Sequence, residues 1–101
     1  MYGIQVKTAN KSATGYMADI SIGAYDRTDK GNTFYVFALL GEPETYVILP
    51  LPVMDGLIRG EHIKTLPKSS RYRAVFSRSG DRVYLGKEDV ESYVNNWNSI
   101  K

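Results

Sequence analysis

Apolar and polar residues alternate along much of the chain with the period of two that is typical of β-strands. Between residues 16 and 24 the even positions are apolar, whereas Asp19 and Ser21 on the other parity are polar. A segment of this kind has one buried face and one solvated face. The alternation predicts strands at residues 2–8, 16–25, 71–77 and 82–85.

Residues 33–40 differ from this pattern, because every residue after Thr33 is apolar. An unbroken apolar run of this length predicts a central strand that is covered on both faces. Residues 45–49 predict a further strand, which ends before Pro50 because proline has no N–H for the strand ladder.

Two segments have the spacing of helices. Pro52 can begin a short middle helix that ends at Gly60, with Val53, Met54, Leu57 and Ile58 on its apolar side. Residues 87–97 place apolar side chains at i, i+3, i+4 and i+7, and acidic residues fill the first turn. These apolar side chains are Val90, Tyr93, Val94 and Trp97. They predict a C-terminal amphipathic helix with Trp97 packed on the sheet.

Together these elements predict an α+β fold in a single small domain spanning residues 1–101. We expect about six mostly antiparallel strands, the short middle helix and the C-terminal amphipathic helix. The length agrees with one domain, and the hydrophobic fraction of 43% and charged fraction of 24% are those of a soluble globular protein.

Composition excludes several kinds of site and location. The chain has no cysteine, which excludes disulfides, thiolate metal sites and cysteine nucleophiles. No apolar run approaches the ~20 residues of a membrane span, and no signal peptide is visible. We therefore expect a cytoplasmic protein that does not contact membranes.

The net charge of +2 is small, but the basic residues are concentrated in one region. Between residues 64 and 82 there are six cations and a single acidic residue, Asp81. The region also holds Tyr72, and Tyr84 follows it; both can stack on unpaired bases. We predict that this basic hairpin binds nucleic acid or an acidic protein surface. The predicted cations are Lys64, Lys68, Arg71, Arg73, Arg78 and Arg82.

The first strand carries a second candidate site. Ile4 and Val6 alternate with Gln5 and Lys7, so we expect the apolar pair on the core side and the polar pair on the solvated face. Asp19 has the solvated parity of the next strand and is the nearest carboxylate in the sequence.

The sequence Ile4-Gln5-Val6-Lys7-Thr8-Ala9, with the order of elements after it, resembles the PD-(D/E)XK nuclease superfamily. The likeness is to its Q-x-K variant in intron-encoded and restriction-type enzymes. It extends over the apolar strand 34–39, the strand closing on Pro50, and the segment ending at Asn98. The resemblance implies that Gln5 and Lys7 belong to a catalytic site that uses a divalent metal such as Mg²⁺.

The chain departs from that family where the metal ligands are needed. The family places an aspartate on the strand before Q-x-K, but here only Met1, Tyr2 and Gly3 come first. Hard cations need oxygen ligands, usually carboxylates, and no carboxylate occurs before Asp19, which does not match the motif position. We therefore expect a truncated, degenerate site that binds no metal.

Three functional hypotheses follow. The first is a non-catalytic nuclease-like module that binds nucleic acid, or a complex that processes it, through the basic hairpin. The second is an interaction protein of a phage or mobile element that inhibits a host defence complex, of the anti-CRISPR or anti-restriction type, in the host cytoplasm. The third is a metal-dependent nuclease completed by a homodimer, with Asp19 or an acidic residue from the second copy. Independently of these hypotheses, we expect the first strand to have an unpaired edge, which a second copy of the chain could cover in a homodimer.

Overall fold

A computed structural model describes residues 3–13, 15–28, 31–40 and 44–100, which contain eight strands and two helices. The helices are α1 (Ile22–Asp26) and α2 (Leu51–Arg59). The strands are β1 (Gly3–Ser12), β2 (Gly15–Ser21), β3 (Thr33–Leu39), β4 (Thr45–Pro50), β5 (Lys64–Leu66), β6 (Arg71–Ser79), β7 (Arg82–Leu85) and β8 (Glu88–Asp89). The α+β class is confirmed in its broad form, but the expected number of six strands is too low.

One mixed sheet runs in the order β4-β3-β1-β2-β6-β7-β8, and β5 also pairs with β6. β1 and β3 are parallel, whereas the other named pairs are antiparallel. β1 belongs to two halves of the sheet, because Gly3–Ala9 pairs with β3 and Asn10–Ser12 pairs with β2. The expectation of mostly antiparallel strands is therefore confirmed.

Aromatic rings join the two halves of the sheet in the main core. The ring of Phe37 on β3 lies 5.0 Å from that of Phe76 on β6. The ring of Tyr25 contacts both Tyr35 and Tyr72, at 5.8 and 5.5 Å. All seven residues of β3 are buried, which confirms the predicted central strand.

The middle helix forms as predicted. α2 has Pro52 in its first turn and buries Leu51, Met54 and Leu57 against the core. Gly60 ends the helix, and its N–H donates to the carbonyl of Gly56 at 2.9 Å. No helix among the described residues is long and apolar enough to span a membrane.

The second predicted strand is shorter than expected, because α1 replaces its end. β2 stops at Ser21, whose hydroxyl accepts a hydrogen bond from the Ala24 N–H at 3.3 Å and caps α1. Tyr25 is buried in this helix, and its hydroxyl donates to Asp55 of α2 at 2.5 Å. Burial is the main cause of the raised pKa of Tyr25, so this hydroxyl keeps its proton and remains a donor.

The prediction of a C-terminal helix at residues 87–97 is wrong. β8 and two short 3₁₀ turns, Glu91–Tyr93 and Trp97–Ser99, occupy the segment. Its backbone bonds to distant strands instead: the Val90 N–H donates to Val83, and the Asn95 N–H donates to Tyr46. Valine, serine and asparagine are poor helix formers, and Asn95 adopts a φ of +53°. Val90 is nevertheless fully buried, while Trp97 is half exposed beside the ring of Tyr46.

The predicted faces of β1 are also wrong. Ile4 and Val6 are 48% and 64% exposed, whereas Lys7 is only partly exposed and Ala9 on the same parity is fully buried. β3 is apolar on both sides, so the alternation in β1 alone does not decide which side faces the main core. The register decides it, because it pairs Ala9 with Leu39 of the main core. Ile4 and Val6 pair instead with Phe34 and Val36, which belong to a smaller cluster on the other side of the sheet.

Candidate nucleic-acid interface

The cations predicted to bind nucleic acid lie mainly on one side of β5, β6 and β7. Arg71 and Arg73 share a side because they are two positions apart in β6. Lys64 on β5 is directly opposite Arg73, and Arg82 on β7 is opposite Ser79, which has the same parity. We call this side the basic face, defined by Lys64, Arg71, Arg73 and Arg82.

The core holds the basic face in place. The alternate residues of β6, Ala74 and Phe76, are fully buried on the other side of the strand. Pairing with β2 and β7 fixes the register of β6 along both edges. Because a slip of one residue would expose Phe76 and bury arginine, the core determines which side the cations occupy.

Asp19 organises two of the arginines. It lies opposite Arg73 across the β2–β6 pair and accepts two hydrogen bonds from that guanidinium, at 2.8 and 3.0 Å. The guanidinium of Arg71 is 3.7 Å from the same carboxylate. The hydrogen bond from Arg73 is the main cause of the lowered pKa of Asp19. The carboxylate therefore stays ionised and holds both cations beside each other.

A second carboxylate restrains the far end of the face. Asp89 accepts a hydrogen bond from Nε of Arg82 and another from the Glu91 N–H at 2.9 Å. The backbone bond from Glu91, followed by the bond from Arg82, lowers the pKa of Asp89. Tyr84, opposite Asp89 in register, lies on the same side and is partly exposed. The carboxylate of Glu91 also lies near Arg82, and the three carboxylates are fewer than the four cations, so the face keeps a positive charge.

The other predicted binding residues lie elsewhere. Tyr72 points to the core side of β6, where its ring packs edge-on against Tyr25. Arg78 is also on that side, with its guanidinium 5.5 Å from the ring of Tyr16. Lys68 is exposed in the turn of residues 67–70, between β5 and β6.

The structure does not assemble the predicted nuclease residues. The β1–β2 register places Asn10 opposite Met17, so the side of β2 that carries Asp19 continues into the even positions of β1. Gln5 and Lys7 occupy the odd positions, on the opposite side of the sheet. In the described part of the chain, no group of three or more His, Cys, Asp or Glu side chains is arranged to hold a metal ion.

A groove near the end of α2 was not predicted from the sequence. It has a volume of about 540 Å³, and within it His62 Nε2 lies 3.5 Å from a carboxylate oxygen of Glu88. The close approach of Gly86 to the His62 carbonyl brings the two segments together. In the sequence, Gly86 is the feature that could have indicated a close backbone contact at this point.

Comparisons of the chain with protein-family models, with curated proteins and with solved structures found no match. The resemblance to PD-(D/E)XK nucleases therefore remains a prediction from the sequence. The structural support for a function is therefore strongest at the basic face, where four cations lie on one side of the sheet.

Proposed function

We propose that the protein is a non-catalytic module that binds nucleic acid through the basic face. The main observation that supports this proposal is that Lys64, Arg71 and Arg73 project from adjacent strands on one side of the sheet. Neighbouring strands are about 5 Å apart, and alternate residues in a strand are about 7 Å apart. This spacing allows several cations to contact successive phosphates of one backbone.

The proposed binding reads the backbone and not the base sequence. Guanidinium and ammonium groups that contact phosphates fix position but carry no sequence information directly. Tyr84 adds a partly exposed aromatic ring on the same side, on which an unpaired base can stack. We therefore expect single strands to bind at least as well as duplexes, with little sequence preference.

The placement of the predicted nuclease residues supports a role without catalysis. Asp19 bonds to Arg73 and lies close to Arg71, so a metal ion would have to displace both cations to use this carboxylate. Lys7 lies on the other side of the sheet from Asp19. We accordingly propose that Gln5 and Lys7 do not form a working metal site with Asp19.

Fluorescence anisotropy with a labelled single strand and a labelled duplex tests the proposal. Affinity should fall steeply between about 50 and 200 mM salt, because binding releases counterions. Arg71→Gln should weaken binding to all sequences and reduce the slope of log K against log salt by about 1. Arg59→Gln is the matched control, since it removes the same charge from the exposed end of α2.

Two results would contradict this proposal. The first is the absence of binding at about 50 mM salt, where electrostatic attraction is strong. The second is an equal loss of affinity in Arg71→Gln and Arg59→Gln, which would show that net charge and not the basic face is responsible. Polyglutamate serves as a competitor, and displacement of the oligonucleotide by it at equal charge would favour an acidic protein partner instead.

A further inference from the structure

β1 has an open edge beside an exposed apolar surface. Within the described residues, β2 pairs with β1 only at Asn10–Ser12, and no strand pairs with that edge at Gly3–Ala9. Ile4 and Val6 in this segment are large apolar side chains that are exposed. They lie in register with Phe34 and Val36 of β3, which are buried.

This edge lacks the features that usually protect an edge strand. Exposed edges commonly carry several charges, a proline or a bulge. Gly3–Ala9 contains one charged residue, Lys7, and no proline. Its backbone groups alternate in direction, so every second residue offers an N–H and a C=O away from β3. The segment therefore presents about 23 Å of strand to which another extended strand can add.

We propose that the edge of β1 pairs with β1 of a second copy, antiparallel about a two-fold axis at Val6. This register places Val6 opposite Val6 of the second copy and Ile4 opposite its Thr8. The apolar side chains of both copies then form one continuous surface next to Phe34. Neither this interface nor its test depends on the basic face.

In the same register, the polar residues of β1 in one copy lie opposite polar residues of β1 in the other copy that can bond to them. Gln5 is opposite Lys7 of the second copy, so its amide oxygen can accept a hydrogen bond from the ammonium group. The two lysines are diagonal to each other and not directly opposite. A parallel pairing in register would instead place the lysines side by side, which is unfavourable. The charge pattern thus favours the antiparallel two-fold dimer.

A cysteine pair tests both the dimer and its register. The chain has no cysteine, so Val6→Cys introduces a single thiol at the proposed axis. Mild oxidation should give a covalent dimer, because opposite Cβ atoms are about 5 Å apart. Thr8→Cys is the matched control: the two thiols would be about 13 Å apart along the strands and should not join. Equal cross-linking of both variants, or of neither, would overturn the proposal.

Sedimentation equilibrium measures the association without cross-linking. The unaltered chain should dimerise, and Val6→Lys should make it monomeric by placing two charges at the axis. Gln5→Glu should lower the dissociation constant and Gln5→Lys should raise it, each by about two- to thirty-fold through two symmetric pairs. Leu40→Lys, at an exposed apolar residue outside β1, should change nothing.

A chain that stays monomeric at about 1 mM would overturn the proposal, as would a dimer that is insensitive to Val6→Lys. Nucleic-acid binding by Val6→Lys is measured alongside. Val6→Lys adds one cation on the side of the sheet that carries the basic face, so this variant should bind at least as tightly as the unaltered chain, apart from any avidity of the dimer. Failure of the dimer and failure of nucleic-acid binding are thus distinguished.

Discussion

Asp19 shows how one carboxylate shapes a positive surface. Without it, Arg71 and Arg73 would repel each other on adjacent positions of the same side of β6. The bidentate contact with Arg73 fixes the plane of one guanidinium, while Arg71 is held more loosely and is 57% exposed at its side chain. Arg71 is therefore the better placed of the two to reach a ligand.

We predict that the contribution of Asp19 to stability depends on pH. Its pKa in the folded protein lies below the ordinary value of about 3.9, so its stabilising effect is present above that value and is lost as the pH falls through the folded-state pKa. Asp19→Asn should therefore be less stable than the unaltered protein at about pH 7, and the difference should shrink toward about pH 2. Urea denaturation at both pH values measures it. A difference that is constant with pH would contradict the ion pair.

Among the elements, those set by local pattern were predictable from the sequence. The apolar run of 33–40 and the alternation of 71–77 correspond to β3 and β6. Pro52 lies in the first turn of α2, and Gly60 follows its last residue. β5 and β8 were missed because they have three and two residues, too few to show a period. The prediction of a C-terminal helix failed because apolar residues at helical spacing can be buried without helical backbone hydrogen bonds.

The candidate site was predictable only in part, for a related reason. Alternation in β6 was enough to place Arg71 and Arg73 on one side. Their pairing with Asp19 depends on the register between β2 and β6, and Asp19 and Arg73 are 54 positions apart. Likewise, the side on which Ile4 and Val6 lie depends on the parallel pairing with β3. Local patterns carry no information about such distant registers.

Two glycines allow a prediction about the helix and the hairpin. Gly56 lies within α2, and a Cβ added there would meet no atom within 4 Å. Gly56→Ala should raise the free energy of unfolding by about 0.5–1 kcal/mol through helix propensity.

In contrast, Gly15 has a φ of +144°, and a Cβ there would lie 2.2 Å from the Phe76 carbonyl oxygen. Gly15→Ala should cost about 2 kcal/mol or more. Thermal and urea unfolding measure both, and stabilisation by Gly15→Ala would contradict the packing.

In the whole molecule, the two proposed binding surfaces lie on different strands. The open edge at Gly3–Ala9 belongs to the half of the sheet formed with β3 and β4, whereas the basic face belongs to the half formed with β5, β6 and β7. A second copy on β1 would extend the first half and leave the second accessible. The proposed dimer and the proposed polyanion binding are therefore compatible in one chain.

The division of β1 between two partners also has a consequence for the order of folding. Ser12 meets Gly15, three positions away, whereas Gly3 meets Thr33, thirty positions away. Closing the longer loop costs more chain entropy, so we expect the hairpin end of β1 to form first. In stopped-flow measurements, Lys11→Gly at the hairpin end of β1 should mainly slow refolding, and Val36→Ala on β3 should mainly speed unfolding; the reverse would refute this order. A single ten-residue strand would then form in two stages, and the segment with the open edge would become ordered after the hairpin end.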